Sequence, residues 1–134
     1  MTAPELPEDL ASRLAGFELA HPGTSLTAIY STKPRALVIR VSGILDTNNA
    51  PAFQAVVAQC LGEAKDRGGL ILDLGGLTYA SSAGVGALTT LLIETQRHKI
   101  AFHLCRIPRN VGAVLEVLGF SAFFDHVECY EGGQ

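Results

Sequence analysis

Apolar residues recur along this chain at two different periods, and the alternation between them lays out the elements. Leu10, Leu14 and Phe17 fall at i, i+4 and i+7, which predicts a short amphipathic helix near the N-terminus. Pro22-Gly23 then breaks the chain. Leu26 to Tyr30 and Ala36 to Val41 read as strands. The turn at Lys33-Pro34 between them is short enough to predict a hairpin. Phe53, Val56, Val57, Cys60, Leu61 and Ala64 return to helical spacing, with Pro51 in the first turn, where its missing N–H costs nothing. Gly68-Gly69 stops that helix. Leu70 to Leu74 is almost wholly apolar, as a strand covered on both faces must be.

A turn at Gly75-Gly76 is predicted next, leading to Ser81-Ser82 and a helix that turns Val85, Leu88, Leu91 and Leu92 inward. Ile100 to Cys105 reads as another strand. Asn110 is placed to cap a further helix with Val111, Val114, Leu115 and Leu118 on its inner face and Gly119 at its end. Phe123 to Val127 is the last predicted strand.

Strands separated by helices predict β-α-β units, hence an α/β domain with a mixed, mostly parallel sheet flanked by helices. The division expected is an N-terminal extension over residues 1–24 and one body over residues 25–134. The stripe Leu10, Leu14 and Phe17 is predicted to dock on that body or on a second copy of the chain, as a homodimer. In such sheets functional loops lie beyond the carboxyl ends of the strands. Asp46, Ser81, Ser82, Arg106 and Arg109 are therefore expected along one edge.

Composition narrows the function classes. The chain has 134 residues, of which 48% are hydrophobic and 17% charged, enough for one domain with a proper core. A net charge of −3 and the lack of any basic run argue against a nucleic-acid binder. The apolar runs are too short for a membrane span. Residues 1–8 are acidic and proline-rich and do not read as a signal peptide. Cys60, Cys105 and Cys129 are odd in number and widely spaced, which predicts reduced thiols and a cytoplasmic protein.

The chemistry concentrates at Ser81-Ser82, where a hydroxyl meets the start of a helix. Backbone N–H groups and the helix dipole favour negative charge there. Ser82 reads as an N-cap worth about 1 kcal/mol, as an acceptor for an added phosphate, or as both. Ser81 is the alternative cap and the alternative acceptor. Gly84 and Gly86 serve either phosphate binding or close packing of the helix on the sheet. Asp46 either shapes a partner surface or hydrogen-bonds its own turn near Asn48 and Asn49. Arg106 and Arg109 either receive an anionic partner or are solvated. No P-loop is present, and Ala80 breaks a hydrolase-type serine elbow. His103 and Cys105 share a strand face but make too few ligands for a metal site.

Three stretches together resemble the STAS domain family, the fold of anti-sigma factor antagonists. They are Val41-Ser42-Gly43-Ile44-Leu45-Asp46, the run from Leu72-Asp73-Leu74 through Tyr79-Ala80-Ser81-Ser82-Ala83-Gly84-Val85-Gly86, and Val114-Leu115-Glu116-Val117-Leu118-Gly119-Phe120. The resemblance covers roughly residues 25 to 130 and implies a STAS-like fold. In phosphorylated members the signature is Asp-Ser-Ser/Thr-Gly-Leu-Gly, and its first serine accepts phosphate from an anti-sigma factor with serine kinase activity. Aligned on Gly84-Val85-Gly86, that acceptor is Ser82, while Ser81 replaces the acidic residue and Ala83 the next hydroxyl. The resemblance thus implies a non-enzymatic antagonist with no cofactor, reset by a PP2C-type phosphatase. Its partner surface would include Asp46, Ser81, Ser82, Val85, Arg106 and Arg109. The alternative is a non-phosphorylated STAS module serving as a scaffold or as an accessory subunit of a lipid transporter.

Overall fold

A computed structural model describes residues 6–119. The elements in order are α1 (Glu8–Ala20), β1 (Thr24–Thr32), β2 (Arg35–Leu45), α2 (Ala50–Gln59), α3 (Leu61–Asp66), β3 (Leu70–Ala80), α4 (Ser82–Arg97), β4 (Phe102–Cys105) and α5 (Arg109–Val117). The described sheet has four strands in the order β1-β2-β3-β4. β1 and β2 form the expected antiparallel hairpin, with Thr32 opposite Arg35 across the Lys33-Pro34 turn. β2–β3 and β3–β4 are parallel, each joined through helix, so the sheet is mixed and mostly parallel as the sequence pattern predicts. The strand expected over Phe123 to Val127 lies outside the described residues.

Alternation along the strands sorts their side chains onto two faces. Leu37, Ile39, Val41, Leu70, Leu72 and Leu74 face the helices and form the main core with Phe53, Val57, Leu88, Leu91 and Leu92. Leu10, Leu14 and Phe17 of α1 are buried in that same cluster, so the N-terminal helix docks on the body through its apolar stripe. The opposite face carries a second, smaller cluster of Ala36, Val38, Ile71 and Cys105.

Four local expectations are corrected. Gly75-Gly76 is not a turn, because β3 runs through it to Ala80 and Gly76 pairs with Ser42. Glycine lets the strands stay close there, since a Cβ on Gly76 would lie 2.4 Å from Ser42 Oγ. The second predicted helix is two, α2 and α3, divided at Cys60, whose N–H bonds to Val57 O at 2.9 Å in a tightened turn. β4 starts at Phe102, after Lys99 has adopted a positive φ of 56°. The last described helix begins at Arg109 with Pro108 at its cap position, so Asn110 already lies inside it. Its inner face holds only Val111 and Leu115, because a helix of nine residues packed by one edge buries a single short stripe.

Candidate functional site

The carboxyl ends of β2 and β3 meet the start of α4, and backbone bonds hold the junction. Ser81 is extended, with φ −75° and ψ 175°, and its N–H donates to Leu45 O at 2.9 Å. Its hydroxyl accepts from Gly84 N–H at 3.3 Å, and its carbonyl accepts from Val85 N–H at 2.9 Å. Ser81 is therefore the N-cap. Ser82 is the first helical residue and is exposed. The cap that the sequence offered first to Ser82 and second to Ser81 is thus made by Ser81.

The glycines of the segment do different jobs. Gly84 is buried, and a Cβ on it would stand 2.8 Å from Leu45 O and 2.9 Å from Leu45 Cβ. It lets α4 lie directly against the end of β2. Gly86 is exposed, and a Cβ on it would meet nothing within 4 Å.

Asp46 is turned into its own loop. One of its carboxylate oxygens accepts from Asn48 N–H at 2.9 Å and Asn49 N–H at 3.2 Å. Buried Asn49 replies with its side-chain oxygen to Asp46 N–H at 2.9 Å, and its amide donates to Ile44 O at 2.9 Å and Thr24 Oγ1 at 3.1 Å. This reciprocal pattern fixes the entry to α2. Asp46 adjoins Leu45, whose carbonyl holds Ser81, so the two loops are fastened at one point.

Arg106 and Arg109 part company. Arg106 has a positive φ of 52°, which swings its guanidinium onto buried Asp73, with Nε 3.0 Å from Oδ1 and the second nitrogen close to Oδ2. Asp73 also receives Gly75 N–H at 2.9 Å and lies 4.0 Å from Arg40 Nε. Along β3 it stands two residues after Ile71 and so shares its face, which puts this ion-pair cluster on the side of the sheet away from the helices. With Val41, Ser42, Gly75 and Gly76 these residues bound a cavity of about 460 Å³. Arg109 instead opens α5 and is exposed.

A second cavity, of about 400 Å³, lies between α4 and α5. Ser81, Ser82 and Val85 line it from α4 and Asn110, Val111 and Val114 from α5. Of the six candidate residues, Ser81, Ser82 and Val85 therefore share one groove. Asp46 and Arg106 are not among its described lining, and Arg109 is the chain neighbour of Asn110 in its wall. The groove itself could not be read from the sequence, since Val114 and Leu118 look like core positions there.

The family model for the STAS domain matches residues 28–131. The chain belongs to the STAS domain family. Among curated relatives, 88 residues are 28% identical to BtrV of Bordetella bronchiseptica, a protein provisionally named an anti-sigma factor antagonist, covering 66% of this chain and 74% of that one. The fold is shared with the Bacillus cell fate determinant SpoIIAA in its phosphorylated form, at a TM-score of 0.61 and 19% identity over 75% of this chain and 89% of the other. The unphosphorylated form of SpoIIAA gives a TM-score of 0.60 at 20% identity, over 75% and 86%. This STAS domain thus has an anti-sigma factor antagonist-like fold. Among its described residues no helix is long and apolar enough to cross a membrane.

Proposed function

We propose that this protein is an anti-sigma factor antagonist that binds an anti-sigma factor with serine kinase activity and is released by phosphorylation of Ser82. The observation that carries the reading is the division of labour at the start of α4. Ser81 does the capping, so the hydroxyl of Ser82 stands exposed at a position where the helix dipole favours an anion. A phosphate there adds close to two negative charges without displacing a cap. The domain stays folded and the charge acts on the partner.

In the unmodified state the protein occupies the kinase and leaves a sigma factor free. A PP2C-type phosphatase removes the phosphate and resets the cycle. On this reading the protein is a substrate and not an enzyme, it needs no cofactor, and it works in the cytoplasm. The names of BtrV and SpoIIAA support the choice of partner class.

The test is incubation with the anti-sigma kinase of the same organism and ATP, followed by intact mass and peptide mapping. One phosphate on Ser82, absent in Ser82→Ala and retained in Ser81→Ala, is the expected result. Ser82→Asp should fold normally and bind poorly. Label on Ser81 alone, or on neither serine, overturns the switch and leaves the non-phosphorylated scaffold or transporter-subunit reading.

A further inference from the structure

We propose that the edge of the domain opposite the serines is a docking surface for a short acidic segment of a partner protein. Its residues share nothing with the Ser82 switch, so the two stand or fall separately. Three observations converge on it.

The first is where the cations gather. Arg35 opens β2, just after Lys33 in the hairpin turn. Lys65 and Arg67 lie where α3 gives way to β3, and Lys99 where α4 gives way to β4. Backbone bonds join the three places: Leu37 N–H donates to Gly69 O at 2.9 Å and Leu70 N–H to Ala101 O at 2.8 Å. The described acids among these cations are Glu63 and Asp66. Arg97 and Glu94, one turn back on α4, pair with each other at 3.2 Å and leave the balance unchanged. Five of the ten Lys and Arg residues thus stand here with two of the thirteen Asp and Glu residues, which leaves five cations against eleven carboxylates elsewhere in the chain. Ser82 follows the other end of β3, a strand of 11 residues that spans roughly 30 Å.

The second is how the cations are held. Arg35 Nη2 donates to Asp66 O at 3.0 Å, a backbone carbonyl that restrains the guanidinium without neutralising it. The close approach depends on Gly68, where a Cβ would lie 2.7 Å from Arg35 O. Arg67 lies over the Tyr30 ring, 4.2 Å from its centre, and its Nε donates to Glu63 at 3.1 Å. Both guanidinium groups are therefore restrained before any ligand arrives, which lowers the ordering cost of binding. Beside them Lys33, Lys65 and Lys99 are exposed and form no ion pair among the described residues.

The third is Lys99. It follows the C-cap His98 with a φ of 56°, the left-handed conformation that glycine usually takes at this position. Gly68 and Gly69, at the neighbouring turn of the same edge, have positive φ and are glycine. A lysine here costs backbone energy, and what it supplies in return is an exposed cation. The class of ligand follows from the charge of the rest. A membrane surface or a nucleic acid is wider than the patch and would meet the acidic remainder of the chain, including Glu8 and Asp9 in the first turn of α1. A short acidic segment meets only the patch, because at physiological salt charges beyond about 8 Å are largely screened. Its carboxylates fit the two restrained guanidinium forks.

The test uses fluorescein-labelled octaglutamate and the full chain, read by fluorescence anisotropy, with labelled octaglutamine as the neutral control. Saturable binding of octaglutamate alone is expected, weakening at least about ten-fold as salt rises from about 0.05 to 0.5 M. Lys65→Glu and Lys99→Glu should each lose at least about five-fold, while Gly16→Glu, an acid added on the open surface of α1, stays within about two-fold of wild type. Lys99→Gly is expected to melt at or above wild type and yet to bind at least about three-fold more weakly, which separates the cation from the fold. No kinase enters the test, so its outcome is independent of the switch. The assignment is wrong if octaglutamate does not bind at the lower salt, if Gly16→Glu weakens binding as much as the lysine variants do, or if Lys65→Glu and Lys99→Gly both bind as wild type. Tighter binding to phosphatidylglycerol vesicles or to oligothymidylate than to octaglutamate overturns the acidic segment as occupant.

Discussion

Replacing Gly84 and Gly86 by alanine, one at a time, should move stability in opposite directions although the two positions are two residues apart on one helix. At Gly84 the added methyl would lie 2.8 Å from Leu45 O, 2.9 Å from Leu45 Cβ and 3.2 Å from Leu45 C. Carbon atoms settle at about 3.5–4.0 Å from one another, so α4 and β2 must separate by roughly 0.5–1 Å. Neither side yields easily. Leu45 is fully buried, and its carbonyl holds Ser81 N–H at 2.9 Å. Overpacking of this kind costs about 1–3 kcal/mol, and alanine recovers at most about 1 kcal/mol of helix propensity. The net expectation is a loss of about 1–2 kcal/mol. Gly86→Ala meets no neighbour and should gain about 0.5–1 kcal/mol.

Urea unfolding followed by far-UV circular dichroism reads both values, and melts should separate the two variants by roughly 3–6 °C for each kcal/mol. Gly84→Ala should also slow phosphorylation of Ser82, since it disturbs the turn that presents the hydroxyl. Equal stabilisation by both substitutions would refute the argument. It would mean that α4 is not pinned to the end of β2, and that the position of Ser82 over the sheet is not fixed in the way described.

Two further outcomes test the frame around the site. Leu14→Ala on α1 removes a side chain buried in the main core and should cost about 2–5 kcal/mol by urea unfolding, whereas an unchanged midpoint would make α1 a dispensable tail. Burial pushes the Cys60 thiol up to about 11, with nearby Asp9 and Glu63 adding to the rise and Arg13 opposing it. The folded state therefore favours the neutral thiol. Stability should be fully present below the unfolded thiol value near 8.5 and should fall as pH rises from there through about 11, a decline that is shallower in Cys60→Ala. An identical pH profile for the two proteins would remove Cys60 as the cause. Tyr30, also raised by burial and by Glu63, contributes in the same direction in both proteins.

The hydrophobic pattern disclosed the parts of the fold whose period is unambiguous. The hairpin, the buried strand from Leu70 and the inward stripe of α4 need only local alternation to be seen. What failed did so where tertiary contacts override local signals. Gly75-Gly76 is punctuation in a sequence, but in the sheet it is the smooth passage of a strand past Ser42. Val114 and Leu118 are apolar and correctly spaced for a core, yet nothing local says that α5 packs by one narrow edge. At the site, the motif located Ser81 and Ser82 but could not divide capping from exposure. That division depends on a bond of Ser81 to Leu45 contributed by a strand far away in sequence.

The separation of charge across the sheet decides what a phosphate on Ser82 can act upon. Arg106 is near the site in sequence order of loops, but its guanidinium is engaged with Asp73 on the face away from the helices. It is therefore not placed as an internal clamp that would draw a phosphate back onto the domain. The groove beside Ser82 has no cation among its described lining, and Arg109 stands outside that lining at the exposed start of α5. Backbone N–H groups at the start of α4 make the charge tolerable, worth typically 0.3–1 kcal/mol at an exposed helix terminus. That is too little to drive a rearrangement of the domain. Desolvating the same charge against an apolar partner costs several kcal/mol, enough to abolish a micromolar complex. The larger effect lies at the interface, so the switch we propose would act by disfavouring the bound state and not by changing the shape of the protein.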